Sequence, residues 1–134
     1  TTFIANNDAL AITAGDGGAV IWPLLVGVNR AKQFLMTGDL MTADEAYQMG
    51  LVNRVVPAGE LLSATRAWAE DVAANCSPAS MRIMKRQVWQ NLTDSLAHAE
   101  KESIRLMIES FDRPDFREGV MSFLEKRDPK FGRV

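Results

Sequence analysis

Apolar residues recur at helical spacing along most of this chain. From Trp22 to Met36 they follow a period of three to four residues with an interruption near Gly27, and this pattern predicts two short helices. After Pro57 the spacing continues and predicts four longer amphipathic helices, over about residues 58–75, 78–92, 94–111 and 115–127. The second part of the chain is therefore expected to be all-helical.

Local signals predict a further helix and two strand segments in the first part of the chain. Residues 42–45 (Thr-Ala-Asp-Glu) form a capping box that opens a helix to Met49, and Gly50 is its expected C-terminal stop. Residues 1–14 are mixed in character and predict a short strand that enters the glycine-rich turn, and the β-branched run 51–56, which ends at Pro57, has the composition of a second one. The first part is therefore predicted to mix strands with helices.

Capping residues also mark the starts of two later helices. Ser77 is followed by Pro78, which suits the first helical position. Thr93 or Asp94 is the expected cap of the next helix.

These patterns divide the chain into an α/β part, residues 1–57, and a helical part, residues 58–134. Four amphipathic helices in the second part have too little chain to enclose a core of their own. They are expected to bury their apolar faces against a larger body or another subunit, which predicts an oligomerisation region.

Composition excludes several classes of function. The net charge of −2 does not indicate a nucleic-acid surface, and no apolar run approaches the ~20 residues of a membrane span. Cys76 and His98 are each the sole residue of their type, so an internal disulfide and a cysteine-based metal cluster are excluded. A reducing compartment such as the cytoplasm is expected. Because the chain begins at Thr1, we expect a processed chain, a trimmed one or a fragment.

The densest chemical signal is the glycine-rich segment 15–18 (Gly-Asp-Gly-Gly), which precedes an apolar run. Its backbone is predicted to turn and open a helix, whose N-terminal N–H groups can hold an anion, a polarised water or a thioester oxygen. The alternative is a tight turn that only lets the helix pack. The segment matches neither a dinucleotide-binding fingerprint nor a Walker loop.

Four ordered blocks of sequence resemble the enoyl-CoA hydratase/isomerase (crotonase) family. They are residues 14–18, residues 35–46, residues 50–57 and the tail blocks 117–120 and 123–131. The resemblance covers about residues 11–134 and only the C-terminal half of the family pattern.

The resemblance implies the last portion of a β-β-α spiral followed by a helical trimerisation region. It also implies an acyl-CoA enzyme, a lyase or isomerase of fatty-acid β-oxidation or related metabolism, with CoA entering as part of the substrate and no separate cofactor. In the family two backbone N–H groups polarise the thioester carbonyl. Those donors and the first catalytic glutamate belong upstream of the blocks matched here, so the 134-residue chain is expected to be inactive alone. A separate chain that supplies the N-terminal half is an expected partner, besides other copies of this chain.

The resemblance also suggests catalytic positions in the first part of the chain. The family's second catalytic glutamate lies eight residues before the first glycine of the turn, which is Asn7 here, with Asp8 adjacent. Asn7 lacks the basicity to take a proton from water, so Asp8 serves only if the register slips by one residue. The Gly15 amide is expected to hold the attacking water.

Substrate contacts are implied at five positions: Asp16, Gly17, Trp22, Met107 and Lys126. The first three lie beside the expected acyl chain, although Asp16 equally suits a helix N-terminus and Trp22 equally suits the core. Met107 and Lys126 match positions that reach the CoA nucleotide, often in a neighbouring subunit of a homotrimer or hexamer. Lys126 suits a phosphate, or else ends a solvated helix. The competing function is a non-catalytic module for oligomerisation and CoA contact.

Overall fold

A computed structural model of the chain describes residues 2–3, 13–15 and 17–132, and two compact units divide the chain, Thr1–Glu60 and Leu61–Val134. The elements of the described residues are β1 (Thr2–Phe3), α1 (Gly18–Val26), α2 (Val28–Thr37), β2 (Met41–Thr42), α3 (Ala43–Gln48), α4 (Leu61–Asn75), α5 (Pro78–Asn91), α6 (Leu96–Ser110) and α7 (Pro114–Glu125). Of the helices described, none combines the length and the hydropathy that crossing a bilayer requires.

The predicted break between the first two helices is confirmed at Gly27. Its backbone has φ 82° and ψ 155°, a conformation that glycine adopts without a side-chain clash. The Gly27 N–H donates to the Pro23 carbonyl at 3.1 Å, closing α1, and its own carbonyl accepts from the Ala31 N–H at 3.0 Å, opening α2. One glycine therefore ends one helix and begins the next.

The predicted capping box is present at the start of α3. The Thr42 hydroxyl accepts from the Glu45 N–H at 3.2 Å, and the Glu45 carboxylate accepts from the Thr42 N–H at 2.8 Å. These hydrogen bonds, first from the Thr42 backbone and then from its side chain, lower the pKa of Glu45 below its ordinary value. At the other end Gly50 has φ 78°, as expected of the predicted helix stop.

The core of the first unit is small and lies between α2, β2 and α3. It consists of Phe34, Met41 and Ala46, with four partly buried side chains packed against it, those of Trp22, Met49, Leu51 and Val52. In the sheet β1 pairs antiparallel with β2, with Phe3 opposite Met41. This pairing joins residues 2–3 to the strand that carries the core residue Met41.

The prediction of a strand at residues 51–56 was wrong. These residues are bends and irregular backbone, and the N–H groups of Leu51 and Val52 both donate to the Ala46 carbonyl, at 2.8 and 3.3 Å. A β-branched run forms a strand only when a neighbouring strand supplies hydrogen bonds. Here the segment folds back on the end of α3.

The predicted helical character of residues after Pro57 is confirmed, with one correction to a cap. Ser77 caps α5 as predicted, accepting from the Ser80 N–H at 3.2 Å. The cap of α6 is Ser95, whose hydroxyl accepts from the His98 N–H at 3.3 Å, and not Thr93 or Asp94. The hydroxyl of Ser95 lies three residues before its donor, as an N-terminal cap requires.

Candidate functional site

The glycine-rich turn opens α1 as predicted. Gly17 is the N-terminal cap, with φ 92° in the left-handed region, and its carbonyl accepts from the N–H groups of Val20 and Ile21 at 3.0 and 2.9 Å. Gly15 is exposed, and among the described residues a Cβ built on it would meet the Thr13 carbonyl oxygen at 3.9 Å and no other heavy atom within 4 Å. The described part of the turn therefore does not crowd Gly15 where α1 begins.

Three predicted site residues, Asn7, Asp8 and Asp16, lie outside the described residues. Trp22 is described and is half-buried, with its ring edge against Phe34 at a centroid distance of 6.5 Å and an interplanar angle of 61°. This contact places Trp22 at the core of the first unit. Its contact with an acyl chain stays a prediction.

Met107 lies on α6 and is 53% exposed. It borders a cavity of about 240 Å³ in the second unit, whose wall also includes Met84 and Leu106. A hydrogen bond of 3.4 Å between the Gln87 amide and the Ser103 hydroxyl joins α5 to α6 beside it. Met107 is thus an exposed apolar side chain at the edge of a small cavity.

Lys126 caps the C-terminus of α7 in a left-handed conformation. Its φ of 52° is the one positive value found at a non-glycine position among the described residues. The Lys126 N–H donates to the Phe123 carbonyl at 3.3 Å, and the next N–H, of Arg127, donates to the Ser122 carbonyl at 3.1 Å. This pair of bonds ends the helix in the manner of a Schellman motif.

Glu118 ties the tail that follows Lys126 back onto α7. Its carboxylate accepts a forked pair of hydrogen bonds from the Arg127 guanidinium, at 2.6 and 3.0 Å, and a third from the Lys130 N–H at 2.7 Å. Arg127 also donates to the Glu125 carboxylate at 2.5 Å. We call Glu118, Arg127 and Lys130 the tail clamp.

The sequence pattern did not single out Glu118 as a site residue. Glu118 and Arg127 are nine positions apart, a spacing that no helical period brings together, and the meeting depends on the left-handed turn at Lys126. One indication of this contact was present in the sequence: Glu118 and Arg127 each lie in one of the two tail blocks that resemble the family. Two neighbouring cations therefore differ in their partners. Arg127 is bound to carboxylates, whereas Lys126 shows no ion pair within the described part of the chain.

The tail clamp changes the acidity of its members. Hydrogen bonds from the Arg127 guanidinium and, next, from the Lys130 N–H lower the pKa of Glu118 from 4.5 to about 2. Hydrogen bonds to Glu118 and then to Glu125 raise the pKa of Arg127 above its ordinary value. Both ions are charged throughout the physiological range.

We expect the stabilisation from the clamp to disappear in acid. Because the pKa of Glu118 is lower in the folded chain than its ordinary 4.5, the contribution is complete above pH 4.5 and is lost as the pH falls through about 2. The measurement is urea unfolding of wild type and Glu118→Gln between pH 6 and pH 2. The difference in free energy of unfolding should be constant down to pH 4.5 and then shrink. A difference that does not change with pH would contradict an ionised Glu118.

A second cavity, of about 460 Å³, lies among α5, α6 and α7. Phe116, Val120 and Phe123 line its apolar side, and Phe131 lies against Gly119, where a built Cβ would be 3.9 Å from the ring. At its polar end the Ser77 hydroxyl donates a hydrogen bond to the Asp115 carboxylate. No group of three or more histidine, cysteine or acidic side chains within the described residues is arranged to hold a metal.

Comparisons with known proteins agree on one family. Residues 1–133 match the enoyl-CoA hydratase/isomerase family. Over 122 residues the chain is 35% identical to a probable enoyl-CoA hydratase of Mycobacterium bovis, covering 91% of this chain and 47% of that protein. It is also 35% identical to the crotonyl-CoA hydratase of Syntrophomonas wolfei, covering 91% of this chain and 46% of that protein.

Solved structures lead to the same conclusion. A probable enoyl-CoA hydratase/isomerase from Mycobacterium abscessus matches with a TM-score of 0.93 and 27% identity, over 99% of this chain and 54% of that one. The predicted crotonase-like fold class is confirmed, and the chain spans about half the length of the curated relatives it matches. The chain belongs to the enoyl-CoA hydratase/isomerase family.

Proposed function

We propose that this chain supplies the C-terminal part of an enzyme that acts on acyl-CoA thioesters through an enolate, by hydration or isomerisation. The observation that carries the proposal is the family match over residues 1–133. The open turn at Gly15 and Gly17 supports it, because the resemblance assigns a role to that turn in which backbone N–H groups face a polar ligand.

In the proposed enzyme the Gly15 amide holds the water that adds to the substrate. Gly15 is exposed and the other described residues do not crowd it, which permits close approach of that water. Asn7 stands where the resemblance expects a carboxylate, and an amide cannot accept the proton of water. The base is then Asp8 if the register slips by one residue. If it does not, reactions that need no second carboxylate are favoured over hydration.

The proposed contact with the CoA nucleotide is made by Lys126. Its side chain is cationic and exposed at the end of α7, and no carboxylate pairs with it within the described residues. A free ammonium group of this kind suits a phosphate. The resemblance places the phosphate on a nucleotide bound mainly by an adjacent subunit.

Replacing Lys126 is expected to weaken CoA binding modestly. An exposed charge contact contributes up to about 1 kcal/mol, so Lys126→Ala should weaken CoA binding by about two- to fivefold at low salt, and by less at high salt. Lys126→Arg should restore part of the affinity, and Lys126→Glu should bind more weakly than alanine. The measurement is titration calorimetry of the native protein with CoA at two salt concentrations. Equal affinities for wild type and all three variants would mean that Lys126 is only a solvated helix end.

A homo-oligomer, a trimer or hexamer, is the proposed assembly. Helices α4 and α5 have no buried residue among those described, and the second unit exposes large apolar side chains, including Leu62 at 81%, Leu96 at 85% and Phe123 at 82%. Apolar surface of this extent is typical of interfaces. The same observation favours the second candidate function, a non-catalytic module that contributes oligomer contacts and part of a CoA site.

A further inference from the structure

Lys126 combines an unfavourable backbone with a free cation. A left-handed conformation is costly for any residue with a Cβ, and glycine avoids that cost at the five other described positions with positive φ, Gly17, Gly27, Gly38, Gly50 and Gly59. Position 126 nevertheless carries a long side chain. If its only role were to end the helix, glycine would adopt the same backbone conformation at a lower cost.

The tail clamp adds side-chain hydrogen bonds to the two backbone bonds that end α7 at Lys126. Arg127, the next residue, is bound through both terminal nitrogens of its guanidinium to the two oxygens of Glu118. The Lys130 N–H is bound to the same carboxylate. The Glu118 carboxylate on α7 therefore holds the chain at two points after position 126, at the Arg127 side chain and at the Lys130 backbone.

The clamp also removes competitors for the lysine. Two carboxylates at the end of α7, those of Glu118 and Glu125, both accept from Arg127. Lys126 shows no hydrogen bond or ion pair from its ammonium group to any described residue. The arrangement leaves one cation satisfied and the neighbouring one available to a ligand.

From this geometry we infer that Glu118 is a positioning residue for Lys126: by holding Arg127 and the Lys130 N–H, it fixes the turn that carries Lys126 and leaves the Lys126 ammonium, unpaired among the described residues, available to a phosphate-bearing ligand. This inference rests on the proposed function, in which that ligand is the nucleotide of an acyl-CoA. Glu118 itself touches no substrate in this scheme and acts only through the lysine.

The test is a double-mutant cycle in the native protein, with CoA as the probe and titration calorimetry as the measurement. Glu118→Gln keeps the shape of the side chain and an oxygen for the Lys130 N–H, but it removes the charge that holds Arg127. We expect it to weaken CoA binding by about two- to fivefold, as Lys126→Ala does. In the Lys126→Ala background, Glu118→Gln should cause no further loss, because the residue through which it acts is absent.

The matched control is Glu102→Gln. Glu102 and Arg105 form a similar exposed pair on α6, with a distance of 2.7 Å from the Arg105 Nε to the carboxylate. This substitution should leave CoA affinity unchanged. Binding of pantetheine, the part of CoA that lacks the nucleotide and its phosphates, should be unaffected by Glu118→Gln, whereas a general loss of structure would weaken binding of both ligands.

A stability measurement tests the premise separately. Lys126→Gly relieves the left-handed backbone, so it should raise the melting temperature while weakening CoA binding as much as Lys126→Ala does. A lower melting temperature for Lys126→Gly would overturn the premise that the lysine is held in an unfavourable conformation.

Failure of the inference and failure of the proposed function give different results. If Lys126→Ala weakens binding and Glu118→Gln does not, or if their effects add, the positioning role is overturned and the phosphate contact stands. If Lys126→Ala leaves CoA affinity unchanged, the proposed phosphate contact is wrong, and the positioning role is overturned with it.

Discussion

The purified 134-residue chain is expected to hydrate crotonyl-CoA at a rate at least about 10⁴-fold below that of a full-length relative. In the family the thioester carbonyl is polarised by two backbone donors that the resemblance places upstream of the blocks matched here. Loss of one such donor typically lowers the rate by about 10²–10³-fold. Asn7 at the position of the second carboxylate lowers the expected rate further.

The assay follows the loss of conjugated enoyl absorbance, with the crotonyl-CoA hydratase of Syntrophomonas wolfei as the positive control. A second arm joins the preceding half of that relative to this chain, with and without Asn7→Glu. The enzyme hypothesis expects activity in the joined protein, increased by Asn7→Glu. Joined proteins that fold and bind CoA but remain inactive would favour the non-catalytic module. Hydration by the unjoined chain well above background would overturn the expectation.

Replacing Phe34 with alanine is expected to destabilise the first unit by about 3–5 kcal/mol. The side chain is 8% exposed and forms the core with Met41 and Ala46, and the edge of Trp22 packs against its ring. Truncation removes buried apolar surface and an aromatic contact together, and a core of three buried residues has few neighbours that can collapse into the cavity.

Met36→Ala is the matched control, because Met36 lies on the same helix and is 67% exposed. Its substitution should change the free energy of unfolding by no more than about 0.5 kcal/mol. Guanidinium unfolding combined with hydrogen exchange of the α1 and α2 amides localises the loss to the first unit. Equal stabilities of the two variants would show that Phe34 does not organise this core.

Most features of the fold that depend on neighbouring residues could be predicted from the sequence, although the cap of α6 is Ser95 and not the predicted Thr93 or Asp94. The helix break at Gly27, the capping box at Thr42 and the cap at Ser77 each require contacts within four residues, so the local sequence determines them. The turn at Gly17 belongs to the same class, because a glycine beside an apolar run needs no distant partner to begin a helix.

Contacts outside the ordinary helical and capping spacings could not be predicted. Residues 51–56 have strand composition, but the N–H groups of Leu51 and Val52 bond to the Ala46 carbonyl, five and six residues earlier. The bond between Ser77 and Asp115 joins positions 38 residues apart, and the clamp between Glu118 and Arg127 requires the turn at Lys126. The resemblance indicated which residues matter in the tail, although it did not indicate which of two adjacent cations would be free.

The buried core residues of the first unit lie close together in the sequence, which favours early folding of this core. Phe34, Met41 and Ala46 lie within thirteen consecutive residues, between α2 and α3. Closing so short a loop costs little chain entropy, and contacts of low sequence separation form early. During synthesis this core can assemble once α3 has left the ribosome, before α4 to α7 have emerged from it. The helices that expose the most apolar surface are therefore added to a chain that already contains a folded nucleus.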